Sequence, residues 1–164
     1  MKIKDFKIAY ATTANINELV DLERVSFSGD LITKYKYKSL LQRKNVNVYG
    51  VWFQGGLIAS AVIINDVKKK ISRLYSFCVT PPMQSMGIGS ALLTTIEQDC
   101  ANNGSLKMRL EVSMNNEQAY RLYCCKSYVV IGKYKKYYQD GSDAIRMEKM
   151  LELNMNLEVN KNAH

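Results

Sequence analysis

The sequence predicts an α/β domain, and three observations carry that prediction. Runs rich in β-branched and aromatic residues alternate along the chain with segments of amphipathic helical spacing. At one junction, Leu74-Tyr75-Ser76-Phe77-Cys78-Val79 is followed by Gln84-Ser85-Met86-Gly87-Ile88-Gly89-Ser90-Ala91-Leu92-Leu93, so two glycines spaced by one residue sit where a strand turns into a helix. Apolar residues make up 47% of the 164, enough for the core of one domain of ordinary size.

Element by element, Ile3 to Ala11 alternates as a first strand. Thr13-Ala14-Asn15 caps a helix whose apolar spacing runs through Ile16, Leu19, Val20, Leu22, Glu23 and Phe27. Gly29-Asp30 breaks it, and Leu31 to Arg43 reads as a second helix. Val46 to Phe53 and Leu57 to Val67 are strands around a Gln54-Gly55-Gly56 hairpin turn, and Ile71 to Val79 is the next strand. Ile88, Ala91, Leu92, Ile96 and Cys100 mark the glycine-led helix, which stops near Asn102-Asn103-Gly104. Leu106 to Val112 is a strand, Asn116 to Lys126 a helix, and Tyr128 to Tyr134 and Ala144 to Leu151 are the last strands. One domain is expected over residues 1–153, with a polar tail over 154–164 expected to fray.

Composition narrows the function classes. No apolar run approaches the roughly 20 residues that span a bilayer, and Met1-Lys2-Ile3-Lys4-Asp5 lacks the apolar core of a signal peptide, so no membrane partner is expected. Cys78, Cys100, Cys124 and Cys125 show no CxxC spacing, and His164 is the only histidine. A metal site or a histidine-dependent triad is therefore not expected. Four unpatterned thiols suit a reducing cytoplasm, with Cys124-Cys125 open to oxidation. The net charge of +8 would suit phosphate contacts, but Lys68-Lys69-Lys70 reads as a hairpin turn and the rest as a solvated face. Nucleic acid is thus not expected as a partner, except as part of a ribosomal target.

The glycine turn has a definite chemistry. It exposes backbone N–H groups at a helix N-terminus, where the dipole favours an anion, and glycine lets the ligand approach closely. No Lys-Ser/Thr follows, and the residue three after Gly89 is Leu92, so neither a triphosphate loop nor a dinucleotide fingerprint is present. A pyrophosphate is the ligand that fits.

Gln-x-x-Gly-x-Gly after a strand ending near a proline resembles the acetyl-coenzyme A signature of the GNAT acetyltransferase superfamily. Downstream, Leu110-Glu111-Val112, Asn115-Asn116, Ala119, Leu122-Tyr123 and the segment Tyr137 to Met147 resemble the RimI-like branch, the protein N-terminal acetyltransferases. The likeness runs from about Ile71 to Met150, with a looser match before it. It implies a central mixed, mostly antiparallel sheet of about seven strands flanked by about four helices and splayed at the cofactor site. It also implies direct transfer of acetyl from acetyl-CoA to a primary amine, most simply a protein N-terminal α-amine. Lysine side chains, small-molecule amines, and a non-catalytic acyl-CoA sensor are the alternatives.

The resemblance assigns roles to particular residues. Gln84, Ser85, Met86, Gly87, Ile88, Gly89 and Ser90 would hold the pyrophosphate, and the backbone N–H groups of Phe77, Cys78 and Val79 the pantetheine arm. Asn116 would bond that arm or cap its helix, or do both. Glu111, read from the residues alone, is either a base or an outward glutamate pairing with Lys107 or Arg109; the resemblance makes it the base, acting through a water. Tyr123, twelve residues on, is either core or the acid that protonates the departing sulfur; the resemblance makes it the acid. Tyr137 and Tyr138 would line the acceptor groove. Two departures stand out: Ser127 replaces the glycine that ends the tyrosine-bearing helix, and Gln84 replaces the commoner arginine, removing a positive charge beside the pyrophosphate.

Overall fold

The computed structural model describes residues 3–153; the expected polar tail from Asn154 lies outside the described residues. Strands β1 (Lys7–Tyr10), β2 (Val46–Phe53), β3 (Gly56–Asp66), β4 (Ile71–Val79), β5 (Lys107–Ser113), β6 (Val129–Tyr134) and β7 (Ala144–Met150) form one sheet in the order β1-β2-β3-β4-β5-β7-β6. All neighbours are antiparallel except β4 and β5. That parallel pair needs a crossover, which α3 (Ile88–Asn102) supplies. Helices α1 (Ile16–Ser26), α2 (Lys34–Gln42) and α4 (Glu117–Cys125) complete the set of four. The mixed, mostly antiparallel sheet flanked by four helices is the architecture expected from the sequence.

Two cores form because successive residues of a strand face opposite ways. Ala61 and Ile63 of β3 join Leu92, Leu93, Ile96 and Tyr123 on the α3/α4 face. Val62, between them, joins Leu19, Tyr37 and Leu40 on the α1/α2 face. Both layers fill from the apolar stripes read in the sequence.

Several boundaries differ from expectation for local reasons. The first strand covers only Lys7–Tyr10, because Asp5 turns the chain with φ 70°. The second helix begins at Lys34, because Thr33 accepts the amide of Lys36 and caps it there. Thr12 and Asn15 bond reciprocally around a 3₁₀ turn that leads into α1. Lys68–Lys70 fall in the β3–β4 turn, as read from the sequence.

Ser127 keeps the turn that a glycine would make easily. It sits in the left-handed region with φ 71°, and the amide of Tyr128 reaches back to the carbonyl of Tyr123 at 3.0 Å. A side chain in this conformation costs about 1 kcal/mol. Ser127→Gly is expected to stabilise the fold by about 1 kcal/mol, raising Tm by roughly 2–4 °C in a thermal melt.

Candidate active site

β4 pairs with β3 along its length, but with β5 only from Ile71–Lys107 to Leu74–Leu110. Beyond Leu74 the two parallel strands part, and β5 continues against β7 alone. At the parting the β3–β4 register shifts: Val62 faces Ser76 while Ile63 faces Leu74, so Tyr75 is an extra residue on β4. A bulge reverses the alternation that follows it. Leu74 therefore packs on the α3 side, whereas Ser76 and Cys78 point to the α1 side and Phe77 points back toward α3 and α4.

The gap opens into a cleft of about 680 Å³ lined by Phe77, Glu111, Asn116, Tyr123, Tyr138 and Glu23 among others. Thr80 donates its amide to Ile58 of the neighbouring chain segment at 2.8 Å. Alternation then turns the amides of Phe77 and Val79 into the gap and that of Cys78 toward β3. The Cys78 thiol lies 3.4 Å from Ser60 Oγ, and burial pushes its pKa up to about 11. Of the three residues assigned to the pantetheine arm, two thus present an N–H group to the gap.

The glycine turn lies beside the gap. Gly87, with φ 85°, is the residue before α3, and no side chain caps that helix. The amides of Ile88, Gly89 and Ser90 have no intrahelical acceptor, which is the arrangement that receives a phosphate. Gln84 bonds the carbonyl of Val79 at 3.0 Å, and Ser85, also left-handed at φ 62°, accepts from Gln118. Met86 packs on the core. Gln84 therefore closes the end of β4, and the start of α3 offers its backbone amides.

Glu111 is 95% enclosed, its side chain being 5% exposed. Arg73 Nε donates to Oε2 at 3.1 Å, and Arg146 donates to Oε1 at 3.0 and 3.2 Å. Neither basic partner suggested by the sequence is involved: Lys107 and Arg109 pair with Glu148. Glu148 lies opposite Arg109 across β5 and β7, while Arg146 lies opposite Glu111, so register decides the pairing. Arg73 also donates to the Tyr137 hydroxyl at 3.1 Å. Burial opposes its charge, but Glu111 and Tyr137 more than offset that and hold its pKa above the ordinary value.

Tyr123 is 5% exposed, and its ring meets Phe77 and Tyr128 edge-on. Burial, with Tyr138 and Cys78 nearby, pushes its phenol pKa up, so it keeps its proton at neutral pH. Asn116 accepts the amide of Ala119 at 3.2 Å, capping α4, and also lines the cleft. Tyr137 and Tyr138 stand on the β6–β7 loop, their rings perpendicular and 5.0 Å apart. Gln139 exchanges bonds with Asp30 of the α1–α2 loop, so the two loops meet over the cleft.

Four contributors escaped the sequence reading: Arg73, Ser76, Arg146 and Glu23. Only Glu23 left a signal, a carboxylate within the apolar stripe of α1. It is 1% exposed, and it accepts from Tyr37 at 3.0 Å, Ser76 at 3.3 Å and the Ile32 amide at 3.2 Å.

The chain belongs to the acetyltransferase (GNAT) family, whose model matches residues 16–125. It is an acetyl-CoA-dependent N-acetyltransferase. No curated protein sequence matches it. Among solved structures, it resembles the ribosomal-protein-S18-alanine N-acetyltransferase of Escherichia coli, with 22% identity, a TM-score of 0.82, and coverage of 90% of this chain and 95% of that one. Ard1 from Thermoplasma volcanium gives 22% identity, TM-score 0.83, and coverage of 91% and 99%. A spermidine N-acetyltransferase SpeG chimera from Vibrio cholerae and hSSAT gives 15%, 0.77, and 90% and 96%. At these identities the likeness is one of fold.

A Cβ on Gly89 would lie 3.4 Å from Leu122 and 3.6 Å from the Phe77 ring, which is ordinary contact. The γ-methyls of Gly89→Val would then crowd the free amides without unfolding the helix. Calorimetry should find coenzyme A binding weakened about tenfold or more, roughly 1.4 kcal/mol, with the melting curve little changed.

Proposed function

We propose that the protein acetylates protein N-terminal α-amines, as one GNAT domain over residues 1–153 working in the cytoplasm. The observation that carries this reading is the meeting of the α1–α2 and β6–β7 loops over the cleft, through Gln139 and Asp30. The tyrosine pair on the second loop narrows the groove, so a free chain end fits where a mid-chain segment is crowded. The phenols of Tyr137 and Tyr138 are suited to bond the first peptide units. An α-amine, with a pKa of about 8 against about 10.4 for lysine, is also more often unprotonated at neutral pH.

Bound acetyl-CoA supplies an activated acyl group. The amides of Ile88, Gly89 and Ser90 would hold its pyrophosphate, and those of Phe77 and Val79 would pair with its arm. Tyr123 holds the proton that the departing sulfur needs. Glu111 puts negative charge on the β5 side of the cleft and keeps Arg73 against Tyr137; the second proton, which the nitrogen sheds after it has attacked the acyl carbon, reaches it through a water. Lysine side chains or small-molecule amines are the second reading, supported by the fold likeness to the spermidine enzyme.

Tyr123→Phe is expected to lower kcat by roughly 10²–10⁴-fold with little change in peptide KM. Steady-state release of free thiol measures both. A lysine-containing peptide offered with a free and with a blocked N-terminus should be modified mainly in the free form, as read by mass spectrometry. Equal modification of the blocked form would overturn the N-terminal reading.

A further inference from the structure

Two glutamates border the cleft, and the fold treats them differently. Both oxygens of Glu111 accept from guanidinium groups, so a proton arriving there meets two fixed positive charges. Glu23 carries no ion pair among the described residues; its partners are two hydroxyls and one amide. It sits on the floor of the cleft, at the last turns of α1, beneath the strand that the bulge has turned toward it. Ser76 lines the same cleft one residue beyond the bulge, and its hydroxyl donates to Glu23 Oε1 at 3.3 Å. Among the described residues no side chain donates to its oxygen, whose lone pairs can accept a proton from an amine in the cleft.

We propose that the acceptor amine loses its proton through Ser76 to Glu23. An ammonium N–H bond breaks as a new Ser76 Oγ–H bond forms. The original Ser76 O–H bond breaks as Glu23 Oε1–H forms. The cationic amine becomes neutral, and the carboxylate becomes a carboxylic acid. Glu23 returns the proton through Ser76 to water that enters the cleft once the product has left. Ser76 touches the amine, and Glu23 acts through it as a positioning residue and proton store.

The surroundings suit a proton store. Burial raises the pKa of Glu23, although the Ile32 amide and the Tyr37 and Ser76 hydroxyls partly counter it. A raised value brings a carboxylate closer to the pH at which it must pick up and release a proton. The ionisable groups facing it are Tyr37 from α2 and Cys78 from β4. Burial pushes both upward, so neither ionises in the neutral range. Across the cleft stand Arg73 and Glu111 on the strands and Asp30, Tyr137 and Tyr138 on the loops. Serving the amine nitrogen alone, the relay does not depend on which amine is acetylated.

The test compares kcat/KM from pH 6.5 to 9.5 for the wild type, Glu23→Gln, Ser76→Ala and Glu111→Gln. The acceptor is a free-N-terminus peptide or spermidine, whichever the wild type turns over faster. At pH 6.5, Glu23→Gln and Ser76→Ala should lose roughly 10²-fold. The deficit should shrink to a few-fold by pH 9.5, because free amine rises through its own pKa. The profiles of both variants should therefore rise more steeply with pH than that of the wild type. Ser76→Ala removes the relay without touching the buried carboxylate, so it decides the matter if Glu23→Gln melts early. A deficit equal at every pH in both variants would overturn the relay, leaving Glu23 a structural group. So would a pH-dependent deficit confined to Glu111→Gln. Both of those outcomes leave the acetyltransferase activity standing, whereas a wild type that releases no thiol with either acceptor contradicts the acceptor reading as well.

Discussion

The parting of β4 and β5 beyond Leu74 and Leu110 is the constraint on which the rest of the structure depends. A parallel pair that continued would satisfy its own amides and leave nothing for a ligand. The pairing stops after a short ladder, and the amides it releases lie next to the uncapped start of α3. One break in one ladder thereby sets free strand amides beside free helix amides, the pair of features on which the proposed coenzyme A site rests. Tyr75, the extra residue at the break, then decides which side chains reach which side. It sends Phe77 to the Tyr123 ring and Ser76 to Glu23.

Charge is placed with the same economy. The chain is basic overall, at +8, yet the cleft is bordered by carboxylates. On the open face of β5 and β7, Glu111 and Glu148 each sit between two basic side chains. Those pairs are part-buried, where geometry rather than simple Coulomb attraction decides their worth. Glu111 is thereby a rigid anchor that fixes Arg73 and, through it, the Tyr137 hydroxyl. Glu23 is held by hydroxyls, which rearrange their protons at little cost. The two sides of the cleft are therefore built for different work.

Much of this was legible in the sequence, and the losses have identifiable causes. The strand and helix order followed from periodicity, and the glycine turn marked the uncapped start of α3, because Gly87 takes a positive φ there. Tyr123 and Glu111 were found through resemblance. What a period of two hides is a bulge: Leu74, Ser76 and Cys78 read as one face, and Tyr75 splits them. Ser76 was lost for that reason. Arg73 and Arg146 were lost because cross-strand partners depend on register, which separated strands do not spell out; Lys107 and Arg109 were the nearer candidates in sequence but lie beside Glu148 instead. Glu23 was visible as a charge within the apolar stripe of α1 but was absorbed into the helical pattern.

Amide hydrogen exchange with and without coenzyme A tests the central claim, that the opening between β4 and β5 is the cofactor site. The account predicts slower exchange in the cofactor-bound protein at Phe77, Val79, Ile88, Gly89 and Ser90, with β1 and α2 unchanged. Unchanged exchange at those five amides under saturating coenzyme A, or protection confined to another part of the fold, would contradict it.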